Sequence, residues 1–145
     1  MLAYLDMLMR KGFLLIALLV TSLAASAQTQ ASINAKGCGD YRKADQQLNQ
    51  LYQQVLKLYA KDAVFLKAFK ASQLAWLKFR DAQAEALFPK QPNQVKQVTY
   101  GSAYSLCSCN ALTSLTNDRN KQLKVWVVGI EEGDVCAGSV RRKSQ

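Results

Sequence analysis

The run Ser72–Gln83, S-Q-L-A-W-L-K-F-R-D-A-Q, puts an arginine and a glutamine where a helix should bury only apolar side chains. At about 100° per residue, Phe65, Phe69, Trp76 and Leu87 share one face, with Leu66 and Leu77 at its edge. Gln73 and Arg80 project into the middle of that stripe. A buried charge without a partner is very costly, so Arg80 requires a counter-group from elsewhere in the chain.

The flanking segments offer one. From Tyr41 to about Ala60, Tyr41, Leu48, Tyr52, Val55 and Tyr59 fall on one helical face with Leu51 and Leu56 beside them, and Asp45 interrupts it. Asp40, after Gly37-Cys38-Gly39, reads as the N-cap of this helix. The second helix is predicted from about Ala63 to Leu87. A third runs from roughly Ser105 to Val128; Leu112, Leu115, Leu123 and Trp126 share a face and Arg119 lies at its centre. Val125 to Val128 also has strand character, but no other strand candidate exists to pair with it. The economical explanation of the inward charges is one buried network: Asp45 pairs with Arg80 or Arg119, Gln73 and Asn49 fill the remaining bonds, and Trp76 packs among them. Such a network fixes helix register more than it adds stability. The alternative is a basic ligand pocket. The predicted fold is all-α, a small three-helix bundle (up-down-up).

Pro89 ends the second helix and Pro92 keeps the following chain irregular, leaving a long loop, Pro89 to Ser102, between helices two and three. Gly129 ends the third helix; Glu131, Glu132 and Asp134 form the one acidic run, and Arg141-Arg142-Lys143 reads as a frayed basic tail.

Arg10 and Lys11, an apolar run from Phe13 to Val20, and Ala25-Ser26-Ala27 have the form of a secretory signal peptide cleaved after Ala27. The apolar run is too short to span a membrane, so no transmembrane segment is expected. Met7 and Met9 are alternative starts; Met9 would open a compact signal of its own, with Met1 to Leu8 an upstream extension. The domain plan is a signal peptide (1–27), a flexible leader (28–37), a helical domain (38–136) and a basic tail (137–145). The A-x-A site suits a bacterial envelope, so the expected location is periplasmic or secreted.

Cys38, Cys107, Cys109 and Cys136 all follow the cleavage site, and an even count in an oxidising compartment implies two disulfides stapling the bundle. With no histidine and no paired C-x2-C, a metal site is not expected. On a helix, Cys107 and Cys109 diverge by about 160°, so they should serve different partners. An up-down-up bundle brings Cys38 to one of them, and Cys136 would return to the other with the tail extended along helix three. The latter span is barely bridgeable.

Without Asp6, Arg10 and Lys11, 17 basic and 9 acidic side chains remain, a net charge of +8. That favours anionic surfaces, although clustered arginine and aromatic residues for nucleic acid are missing. An enzyme is not indicated: histidine is absent, no phosphate-cradling glycine motif occurs, and no cofactor is implied. A glycosidase-like pair in the acidic run is far less economical than a polar turn.

Cys38 followed by K-A-D-Q-Q-L-N-Q-L-Y-Q-Q resembles the opening of the LprI-type lysozyme-inhibitor N-terminal domain family, small exported bacterial proteins. The resemblance continues through Q-L-A-W-L-K-F-R-D-A, the Gly101-Ser102 loop and L-T-N-D-R-N-K-Q-L, and spans about Cys38 to Leu123. The matching positions are Asp45, Leu48, Asn49, Tyr52, Gln73, Trp76, Arg80, Asp81, Thr116, Arg119 and Leu123, which include the inward charges. Members commonly carry a cysteine four positions after the arginine of R-D; Ala84 stands there, with Cys136 the candidate replacement. The resemblance implies a lysozyme partner whose cleft is plugged. The 89–102 loop is the natural plug: Lys90 or Lys96 would approach the cleft carboxylates, Tyr100 would anchor, and Gly101 and Ser102 would complete the surface. The competing expectation is a non-enzymatic periplasmic module for an anionic partner: cell-wall polymer, membrane surface or acidic protein.

Overall fold

The structure, a computed structural model, describes the backbone of residues 2–143 and the side chains of residues 29–143. The signal-peptide reading of residues 1–27 lies outside the described side chains. Among the described residues the fold is all-α, with helices α1 (Leu2–Leu58), α2 (Ala63–Leu87), α3 (Lys96–Tyr100) and α4 (Tyr104–Val128). No strand forms among them; Ile130 and Arg142 make one isolated bridge.

Contacts along the chain set the helix directions. Cys38 is bonded to Cys109, the Asn120 amide donates to the Ala44 carbonyl at 2.9 Å, and Tyr59 meets Trp126, so α1 and α4 run the same way. Against α1, α2 runs in reverse: Arg80 meets Asp45, Phe69 stacks on Tyr52, and Phe65 lies 4.3 Å from Tyr59. The core is Leu48, Leu51 and Val55 of α1, Phe65 and Phe69 of α2, and Leu123 of α4. Leu87, placed on the apolar face by its spacing, is instead half exposed at the end of α2.

Gly37-Cys38-Gly39-Asp40 does not interrupt α1, and residues 28–37 are helical where a flexible leader is expected. The glycine there serves packing, not punctuation. A Cβ on Gly37 would stand 2.5 Å from Leu106 Cδ1 and 3.2 Å from Asn110 Oδ1, so α4 comes close where α1 has no side chain. Asp40 therefore does not cap a helix. The true cap is Asp62, whose Oδ1 accepts from Phe65 N at 2.8 Å at the start of α2.

One disulfide forms, Cys38–Cys109, with Cα atoms 4.9 Å apart; Cys107 and Cys136 are exposed free thiols. The expectation of two bridges fails for a geometric reason. Cys107 points to the opposite side of α4 from Cys109, and the tail does not run back along that helix. Instead Ile130 N donates to Arg141 O (3.0 Å) and Lys143 N to Ile130 O (2.9 Å), folding the tail over the Val128 end, about 30 Å of helix from Cys107. The tail is thus tied, not frayed: Arg141 N also donates to Tyr59 Oη at 2.8 Å, and Lys143 pairs with Glu131. Gly129 makes this turn possible, with φ of 85° and a missing Cβ that would sit 2.8 Å from Arg141 O.

Unfolded without reductant, the protein should take up two equivalents of a thiol-alkylating reagent, read by mass; none would mean that a second bridge exists. Cys38→Ser removes a crosslink between positions 71 apart and should lower unfolding free energy by roughly 2–5 kcal/mol in urea titration.

Candidate functional site

Trp76 stands between two arginines. The Arg80 guanidinium carbon lies 5.5 Å from its ring centroid and that of Arg119 5.9 Å, so cations from α2 and α4 share one indole. Arg80 also lies over the Tyr41 ring at 5.8 Å. Its acceptors are Asp45 Oδ1 (3.2 Å) and the neighbouring Asp81 carboxylate (2.9 Å), while Asn49 Nδ2 reaches Asp45 Oδ2 at 3.4 Å. The Arg80 side chain is 11% exposed and that of Asp45 39%.

Arg119 belongs to a different group. Nε donates to buried Gln73 Oε1 (3.0 Å), Nη1 to Gln122 Oε1 (2.9 Å) and Nη2 to Ser72 Oγ (3.2 Å). The single network expected from the helical faces is therefore two networks meeting at Trp76: Asp45–Asn49–Arg80–Asp81, and Gln73–Ser72–Gln122 around Arg119. Their electrostatics differ. Burial opposes the charge on Arg80, yet the Asp81 hydrogen bond and the field of Tyr41, Asp81 and Asp45 hold its pKa above the ordinary arginine value. Burial alone acts on Arg119 and pushes its pKa down. Burial also raises the Tyr41 hydroxyl, helped by Asp45 and Asp81 and opposed by Arg80.

The 89–102 segment is more ordered than a plain loop. Phe88, Tyr100 and Tyr104 form an aromatic base with centroids 5.5–6.0 Å apart, and Tyr100 Oη donates to Pro89 O at 2.7 Å. Lys96 pairs with Glu85 and lies 5.9 Å from the Tyr104 centroid, while Glu85 also accepts from Lys90 N (3.0 Å). Lys96 and Tyr100 thus hold the segment's base, and the Ser102 carbonyl accepts from Asn34 Nδ2 at 3.2 Å. Gly101, at φ of 78°, turns the chain from α3 toward α4 and is exposed. Exposed on this base are Lys90, Val95 and Val98. The Lys96 hydrogen bond holds the Glu85 carboxyl below its ordinary 4.5, so this contribution is present above that value and lost as pH falls through the lower, folded pKa. The same bond raises Lys96 above 10.5, so its contribution is present below that value and lost as pH rises through the folded pKa. The clasp therefore persists across neutral pH.

Sequence reasoning missed Glu85, Phe88 and Tyr104 as the clasp. The four-residue spacing of Tyr100 and Tyr104, with Phe88 just before Pro89, was the available signal. Among the described residues, no group of histidine, cysteine, aspartate or glutamate side chains is placed to hold a metal. No helix among them is long and apolar enough to cross a membrane.

A family model described as Lysozyme inhibitor LprI matches residues 22–123, well over half of the chain. The chain belongs to that family. LprI is a family of inhibitors, not of enzymes. The chain matches no curated protein and no solved structure. The LprI match takes in α2, the 89–102 segment and both arginine networks, and ends at Leu123, before the folded-back tail. Cys136 lies beyond it and is unpaired, so it does not replace the cysteine that family members commonly carry where Ala84 stands.

Because Asp45 is partly exposed and Arg80 retains Asp81, Asp45→Ala should cost only about 1 kcal/mol in urea unfolding. A loss of several kcal/mol would mean the two networks behave as one buried unit.

Proposed function

We propose that this protein is an exported envelope protein that binds lysozyme and blocks its cleft with the 89–102 segment. The observation that carries this reading is the LprI match across residues 22–123, which includes the whole segment. Export follows from the same membership. The form of the segment supports the role of a plug. Its aromatic base and the Glu85–Lys96 clasp restrain a short stretch with exposed Val95 (60%) and Val98 (71%). An ordered apolar tip enters a partner's cleft at less entropic cost than a mobile one. In this reading Lys90, Val95 and Val98 contact lysozyme, Lys90 facing the cleft carboxylates. Gly101 and Ser102 border the contact, while Lys96 and Tyr100 position it.

A second reading is favoured by the charge. Lys67, Lys70 and Lys78 are exposed along α2 with no carboxylate within salt-bridge distance among the described residues, and the whole chain carries +9. That surface suits an anionic envelope partner such as a cell-wall polymer, a membrane surface or an acidic protein.

A turbidity assay of lysozyme on bacterial cell walls separates the two. The purified protein should slow lysis at micromolar excess. Val98→Asp should weaken inhibition about tenfold or more with an unchanged melting temperature, because it puts a charge into the apolar tip. Absence of inhibition against both animal and bacterial lysozymes would remove the inhibitor reading. Binding to a polyanion that weakens steeply as salt rises would then support the second.

A further inference from the structure

At the opposite end of α2 from the 89–102 segment, a groove of about 540 Å³ opens between α2, α4 and the folded-back tail. Phe65, Phe69 and Trp126 form its floor, with ring centroids 4.8–6.3 Å apart. Arg119 and Ser72 stand at one end and Asp62 at the other. We propose that this groove binds the C-terminal end of an extended peptide about four residues long, its terminal carboxylate on Arg119, its apolar side chains on the aromatic floor and its amino end toward Asp62.

The charge at the first end is unmatched. Arg119 has no carboxylate within salt-bridge distance among the described residues; its three hydrogen bonds go to the neutral oxygens of Gln73, Gln122 and Ser72. A guanidinium has five N–H donors, so two remain for a ligand, and a carboxylate is the acceptor that matches its fork. Burial without a carboxylate lowers its pKa, opposite to the outcome for Arg80. Gln73 and Ser72 orient the group and leave its charge uncompensated.

The second end and the spacing select the ligand. Asp62 Oδ1 caps α2, leaving its other carboxylate oxygen for a cation. Asp62 and Ser72 are ten residues apart on one helix, about 15 Å. A tetrapeptide fully extended spans roughly 13–14 Å. A fatty acid would offer one charge and a tail that gains nothing from Asp62, so opposite charges across an apolar floor favour the zwitterionic peptide.

The test is titration of the protein with a tetrapeptide of three alanines and a C-terminal phenylalanine, followed by tryptophan fluorescence and calorimetry. Saturable binding is expected. The C-terminal amide should bind at least about tenfold more weakly, and N-acetylation should have a smaller effect because Asp62 is exposed. Arg119→Gln should remove the preference for the acid over the amide. Ala68→Phe, which puts a bulky ring into the groove from an exposed position of α2 and leaves the Arg119 side chain in place, should abolish binding while leaving the melting temperature unchanged. Equal binding of acid and amide, no saturable binding, or parent-like binding by Ala68→Phe would overturn the proposal. So would dodecanoate binding where the peptide does not, which would mark a fatty-acid site.

Discussion

Two guanidinium groups against one indole are the constraint around which the helices are arranged. Trp76 comes from the face of α2 that turns toward α1 and α4, Arg80 from the same helix one turn on, and Arg119 from α4. Each arginine finds separate acceptors, carboxylates for Arg80 and neutral oxygens for Arg119, so both are hydrogen-bonded while only Arg80 meets a counter-charge. Sliding α2 by a turn would remove Arg80 from Asp45 and Gln73 from Arg119 together. Bonds of this kind add little net stability, but they single out one register among several that the apolar faces alone would tolerate.

Around that constraint the two helix interfaces differ in character. Between α1 and α4 the contact is close and built on small or polar groups: Gly37 under Leu106, the Cys38–Cys109 bridge, and the buried Asn120–Ala44 hydrogen bond. Between α2 and its neighbours the contact is made by large rings, Tyr52, Tyr59, Phe65, Phe69 and Trp126, which hold the axes farther apart. That spacing leaves the groove beside Arg119 open. The same helix thus presents an aromatic groove near its start and the clasped 89–102 segment beyond its end.

Helix spacing was legible in the sequence because apolar periodicity reports burial directly. The limits of α2 and the end of α4 follow from Asp62, Pro89 and Gly129, whose backbone chemistry is local. The inward positions of Arg80, Gln73 and Arg119 were readable for the same reason. Their division into two networks was not, since periodicity says which way a side chain points and not which partner lies opposite. Gly37 misled because glycine marks both a helix end and a close helix contact, and only the neighbouring helix distinguishes them. Cysteine counting failed because parity carries no geometry: a tail hydrogen-bonded to Ile130 and Tyr59 keeps Cys136 away from Cys107. The clasp around Glu85 was hidden because its members join three separate stretches, the end of α2, α3 and the start of α4.

The most direct test of the shared indole is a double-mutant cycle between Trp76→Leu and Arg119→Met, measured by urea unfolding. A coupling of about 0.5–1 kcal/mol is predicted, the magnitude of a partly exposed cation–π contact. Additive effects of the two substitutions would contradict the account, leaving Trp76 an ordinary core side chain and Arg119 a group held by its hydrogen bonds alone.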